Sequence, residues 1–148
     1  MFRLRLFSGL GRGQRAASAV EFALVLPLLV TILLGAIDFG RFAFSAITVA
    51  NAARTGAAVC QHASSCNLTD AQIKTIVRNE ALPYLDLDDT LPTVAVTVDK
   101  DACGASPPSL SPCVEVRVAY QFQTLIPWPG IPADVWIARS ARIPRGIV

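Results

Sequence analysis

Residues 16–37 read AASAVEFALVLPLLVTILLGAI, apolar throughout except for small hydroxyls and a single acid, Glu21. At a 1.5 Å rise per residue the stretch spans about 33 Å as a helix, which matches a hydrocarbon core of about 30 Å. It predicts a transmembrane helix carrying one charge out of place. An ionised carboxylate inside lipid is costly, so Glu21 calls for a partner. Pro27 removes one backbone donor and crowds the turn at Ala23, so a local kink or loosened turn is expected there, either incidental or a hinge. The run exceeds the apolar core of a secretory signal, about 7 to 15 residues, and lacks an A-x-A site just after it, so it reads as an anchor.

The flank before it, MFRLRLFSGLGRGQR, holds Arg3, Arg5, Arg12 and Arg15, no acid, and three glycines. It reads as a basic leader, either a flexible flank that orients the helix or a segment removed by a peptidase. From Phe42 onward eight Lys/Arg stand against nine Asp/Glu, a net of −1. The positive-inside rule then puts the N-terminus in the cytoplasm and exports the rest. With no basic, aromatic-interleaved surface in the bulk of the chain, nucleic acid is excluded as a partner. The overall 53% hydrophobic and 16% charged composition of the 148 residues is ordinary once the membrane segment is set aside. What remains supports one small domain.

The apolar period outlasts the membrane. Val25, Leu29, Ile32, Ala36, Phe39, Ala43, Ala46, Ala50, Ala53 and Ala57 follow at spacings of four and three, one face of a helix. A single helix over 17–58 is predicted, with Asp38, Arg41, Asn51 and Arg54 away from the stripe. Its outer part is almost pure alanine, and small residues admit a close second backbone. Ala43, Ala46, Ala50, Ala53 and Ala57 are therefore candidate helix-packing residues, either under the protein's own domain or against other subunits. Gly56 and the polar loop QHASS predict the helix end between Thr55 and Cys60.

Beyond it, T-D-A-Q at Thr69 to Gln72 is a capping box that opens a short helix with Ile73, Ile76 and Val77 on one face, closed by Pro83. Period-two alternation over 93–99 and more strongly over 113–123, where Val114, Val116, Val118, Tyr120 and Phe122 share a side, predicts two strands, and 134–142 a weaker third. The predicted class is α+β: a long N-terminal transmembrane helix continuing into a small exported domain with a short helix and a three-stranded antiparallel sheet. The domains are a cytoplasmic leader 1–16, the helix 17–58 and an exported domain 59–148.

All four cysteines, Cys60, Cys66, Cys103 and Cys113, fall on the exported side, where oxidation is possible, and none makes a C-x-x-C pair. Of three possible connectivities, Cys60 with Cys66 and Cys103 with Cys113 is favoured, because each pair brackets a short polar or Pro-rich loop. The lone histidine, His62, has no evident acid or nucleophile partner and reads as an exposed loop residue. Asp86, Asp88, Asp89, Asp99 and Asp101 lack an EF-hand pattern and read as solvated turn residues rather than a calcium site. No phosphate loop, nucleophile elbow or zinc-protease motif is present, so no enzyme, metal or cofactor is expected. Trp128, in the Pro-rich IPWPGIP connector, is either a partner contact or a cover for the sheet edge.

The run AASAVEFALVLPLL, with DFGR at Asp38 to Arg41 and NAARTGA at Asn51 to Ala57, resembles the TadE-like family, pseudopilins of the tight adherence (Flp) pilus and secretion system. The resemblance covers most of the first 58 residues. It implies a pilin-like subunit of the bacterial inner membrane, with the exported domain periplasmic or in an extracellular pilus. Other pilins and pseudopilins, a prepilin peptidase, an inner-membrane assembly platform and the lipid bilayer are the implied partners. In pilin-type signals the glutamate is the fifth residue after the cut and precedes an aromatic. Glu21 and Phe22 fit, which puts the cut between Ala16 and Ala17, although the residue before the cut is usually glycine. The amine freed at Ala17 would pair with Glu21 of a neighbouring subunit in lipid. The rival reading is a bitopic protein whose periplasmic domain binds a partner outside any pilus.

Overall fold

The structure, a computed structural model, describes residues 10–61, 67–82, 84–100, 102, 113–128 and 130–144, with side chains from residue 16 onward. In chain order these form helix α1 (Leu10–Ala58), helix α2 (Asp70–Ala81) and strands β1 (Val94–Asp99), β2 (Cys113–Gln123) and β3 (Asp134–Pro144). The α+β class and the three-stranded antiparallel sheet match the expectation from sequence. The chain divides into two compact units, Met1–Phe39 and Gly40–Val148.

Over its described residues the first unit is helix alone. The helix begins at Leu10, inside the segment read as a Gly-broken leader. Each glycine costs a helix only about 1 kcal/mol, and extending an existing helix needs no new nucleus, so Gly11 and Gly13 do not stop it. Nor does Pro27, which lies within the helix. The Thr31 hydroxyl donates to the Pro27 carbonyl at 2.8 Å, one turn back.

In the second unit the sheet order is β1-β2-β3, both pairs antiparallel. Val96 faces Val118 across the first pair and Tyr120 faces Ile137 across the second. The pleat sends Val94 and Val96 of β1, Val114, Val116, Val118 and Phe122 of β2, and Ile137 of β3 into one core. Val49, Ala52, Ala53 and Ala57 of α1 complete it with Ile73, Val77 and Ala81 of α2 and Leu87 from the following connector. Ile76, expected on the buried face of α2, is half-buried, and Ala81 takes the inner position one turn beyond Val77. The capping box forms as the sequence predicts: the Thr69 hydroxyl accepts from Gln72 N–H at 3.3 Å, and Thr69 N–H donates to Gln72 Oε1 at 2.8 Å.

Two details of α1 differ from the sequence reading. The helix ends at Ala58, inside the expected window of Thr55 to Cys60, but Gly56 is not what ends it. It lies inside the helix, where an added Cβ would sit 2.5 Å from Val77 Cγ2 and 3.3 Å from Val116 Cγ1. Only glycine lets α1 approach α2 and β2 this closely. The buried arc is also rotated from the alanine stripe: Ser45, Thr48, Val49 and Ala52 are buried with Ala53 and Ala57, whereas Ala43, Ala46 and Ala50 are half-buried at its flank. Two hydroxyl residues conceal this arc from a count of apolar residues. Thr48 is accommodated because its hydroxyl donates to the Phe44 carbonyl at 3.0 Å.

Candidate assembly segment

Ala16, Ala17, Glu21 and Phe22 lie on the helix of the first unit, all exposed. Ala17 and Glu21 are four residues apart, so they share a face one turn apart. Around them the surface is almost wholly hydrocarbon. Val20, Phe22, Leu24, Leu28, Ile32 and Leu33 each expose 60% or more of their surface. Monomers in water do not leave such an area uncovered. The helix is long and apolar enough to cross a membrane, as a membrane anchor or signal sequence does.

In the second unit α1 presents two arcs. The inner one is the core face already described. The outer one, Gly40, Phe44, Ile47, Asn51, Arg54 and Ala58, follows at spacings of four and three and is exposed at every position. Its centre is apolar, with Phe44 48% and Ile47 59% exposed. The alanine pattern hides this arc because its members share no residue type.

Asp38 and Arg41, both expected away from the alanine stripe, are not alike. Asp38 is 6% exposed. Arg41 lies over the Phe122 ring at 5.4 Å, and Phe42 meets the same ring edge-on at 5.5 Å. Tyr84, after Pro83 and outside any periodic run, stacks edge-on to Phe44 at 5.2 Å. No sequence spacing links these pairs.

The acids of the α2–β1 connector are engaged by cations. Lys74 Nζ reaches Asp89 at 2.6 Å, while Arg78 holds Asp86 at 2.8 Å and Asp88 at 2.7 Å. The Thr90 backbone N–H and hydroxyl, at 3.0 and 2.8 Å, lower the Asp88 pKa, and Arg78 adds to the effect. The hydrogen bond to Asp86 raises that of Arg78 in turn. A shallow cleft lined by Asp70, Lys74, Arg78, Asp88 and Asp89 is thus walled by ion-paired side chains, with Asp70 held by Lys100 at 2.8 Å. On the sheet, Arg142 Nε donates to Glu115 Oε2 at 2.8 Å and holds the Glu115 carboxyl below its usual range. Glu115 Oε1, buried, is 3.6 Å from Arg117, too far for a hydrogen bond.

Cys60 and Cys113 are buried, at 1% and 3% exposure. Cys66 and Cys103 lie outside the described residues, as do His62, Pro83 and Asp101, so each proposed bridge has one member there. Among the described residues no group of three or more His, Cys, Asp or Glu is placed to hold a metal. Trp128 is half-buried, in a turn where Ile131 N–H donates to its carbonyl at 3.2 Å and Gly130 takes φ 83°.

The chain thus combines a long apolar helix with a small α+β unit. Residues 16–58 match the model of the TadE-like protein family. No curated protein and no solved structure matches the chain.

Proposed function

We propose that this chain is a minor pilin or pseudopilin subunit that contributes to assembly of a tight adherence (Flp-type) pilus or a related secretion machine. One observation carries the reading: the TadE-like match covers residues 16–58, the part of the long helix that bears Glu21 and whose apolar run over 16–33 is exposed throughout. The family implies involvement in Tad pilus assembly, a structural rather than a catalytic task. In this reading residues 16–37 sit in the bacterial inner membrane, the N-terminus is cytoplasmic, and 59–148 is periplasmic.

The physical chemistry supplies a mechanism. A prepilin peptidase cuts between Ala16 and Ala17 and frees a cationic amine. In lipid either charge alone is expensive, so the amine of one subunit pairs with Glu21 of the next and sets their register. Phe22 and the outer arc through Phe44 and Ile47 then pack against helices of neighbouring pilins. Small residues on that arc, Gly40 and Ala58, favour close approach.

Ala16, in the place where such signals usually carry glycine, favours the second reading, a bitopic membrane protein whose periplasmic domain binds a partner without entering a pilus. The mass of the N-terminal peptide of the membrane-extracted protein separates the two. A chain beginning at Ala17 is the expected result. An intact leader in a host that processes its other prepilins supports the bitopic anchor.

A further inference from the structure

Two contacts fix the direction of β2 against α1 within the second unit. A Cβ built at Gly56 lies 3.3 Å from Val116 Cγ1, and the Phe42 ring meets the Phe122 ring edge-on at 5.5 Å. From Gly56 back to Phe42 a helix covers about 21 Å, and from Val116 on to Phe122 a strand covers about 20 Å. β2 therefore runs antiparallel to α1. The β2–β3 connector, residues 124–133, turns at the end of the unit where α1 enters at Gly40.

The two ends of the sheet differ in chemistry. At the far end the register sets Asp99 beside Glu115 and Glu115 beside Arg142. The connector, TLIPWPGIPA, holds no charged residue. Its neck is closed by Thr124, whose N–H and hydroxyl both donate to the Ala133 carbonyl, at 2.9 and 3.3 Å. Inside it the turn from Trp128 to Ile131 is hydrogen-bonded, and Pro127 and Pro132 restrict the backbone on either side. On this ordered frame Leu125 and Ile131 expose 63% and 56% of their surface. Two large aliphatic side chains held out by a stiffened loop meet a partner with little further ordering.

Their place along the chain identifies that partner. Arg41 and Phe42 are four and five residues past Ile37 on α1, about 6 to 8 Å along a helix. A bilayer of about 40 to 45 Å with a core of about 30 Å leaves a headgroup layer of roughly 5 to 8 Å on each side. With residues 16–37 in the hydrocarbon, Phe42 stands at the bilayer surface, and Phe122, packed on it, at the same level. The connector begins just beyond Phe122. An uncharged loop with leucine, isoleucine and a tryptophan suits the interface, where tryptophan is enriched.

We propose that the 124–133 loop dips into the surface of the membrane that α1 crosses, with the Leu125 and Ile131 side chains at its acyl boundary. The proposal rests on the membrane insertion of the preceding reading. The loop fixes the head to the bilayer at a second point besides the helix.

The test uses the full chain in lipid nanodiscs. Trp136→Phe, at an exposed position of β3, leaves Trp128 of the loop as the sole tryptophan. Phosphatidylcholine brominated in the upper part of its acyl chains is expected to quench the Trp128 emission strongly, and lipid brominated near the chain ends to quench it less. Adding Leu125→Asp and Ile131→Asp, both at exposed positions, is expected to abolish most of the bromine quenching while the circular dichroism of the head stays unchanged. Emission that neither brominated lipid quenches overturns the proposal before any loop variant is made. Bromine quenching that survives both aspartates in a folded chain overturns it as well, since the indole then meets lipid without those side chains. Carbonate extraction of cell membranes reads insertion separately. A wild-type chain in the pellet with an unquenched loop refutes the loop contact alone, and a wild-type chain in the supernatant refutes the membrane reading along with it.

Discussion

Gly56 and Val77 pack so closely that the hydrogen of the glycine stands where any larger side chain meets a β-branched methyl: a Cβ built at Gly56 lies 2.5 Å from Val77 Cγ2. Gly40, on the same helix, has nothing within 4 Å of its built Cβ. The two glycines predict opposite signs. Gly40→Ala gains helix propensity and stabilises by about 0.5 to 1 kcal/mol. Gly56→Ala gains the same propensity but overpacks the core by about 1 to 3 kcal/mol, so it destabilises on balance. Thermal melts of both variants in one detergent decide the matter. A Gly56→Ala chain as stable as Gly40→Ala contradicts the packing described.

The cap of α2 carries a second prediction. Thr69→Ala removes the acceptor for Gln72 N–H and half of the reciprocal box, which costs about 1 kcal/mol. Thr69→Ser keeps the hydroxyl and restores most of it. Denaturant midpoints of the two variants measure the difference.

Acid stability follows from the carboxylates. Glu115 is held below its usual range first by Arg142, and Asp88 first by Thr90. A depressed folded-state pKa means that the contribution is fully present above the unfolded values, about 3.9 for Asp and 4.3 for Glu, and is lost as pH falls through the lower folded-state values. Both groups are reached by solvent, which keeps the effect small. Wild type therefore loses more stability between pH 5 and pH 3 than the double variant Asp88→Asn with Glu115→Gln. Parallel pH profiles for the two chains contradict this linkage.

The outer arc of α1 separates folding from assembly. Ile47 is 59% exposed, so Ile47→Asp shifts the melt by no more than about 0.5 kcal/mol. A buried charge in a helix-packing seam, by contrast, disfavours association. Co-purification with other pilins is expected to fall while the head stays folded. Full co-purification by this variant places the seam elsewhere.

Much of this architecture is legible in the residues. The membrane-length run, the capping box at Thr69 and the alternation of 113–123 each rest on local periodicity, and each forms where it is expected. What escapes is set by tertiary contact. Gly56 reads as a helix breaker until Val77 and Val116 are known to face it. Ser45 and Thr48 are polar by type yet buried, because a hydroxyl can be satisfied by its own helix. Tyr84 reaches Phe44 from forty residues away, a distance that no period encodes. Within the proposed assembly segment Glu21 stands out in the sequence, since a charge in a lipid-length stretch is conspicuous without any fold.

The central claim is that Glu21 joins this subunit to its neighbours within the membrane. The direct measurement is Glu21→Ala expressed in the native host, scored for carbonate-resistant membrane insertion, co-purification with other pilins and surface piliation. The account predicts normal insertion with reduced co-purification and fewer pili. Normal insertion with co-purification and piliation at wild-type levels contradicts it.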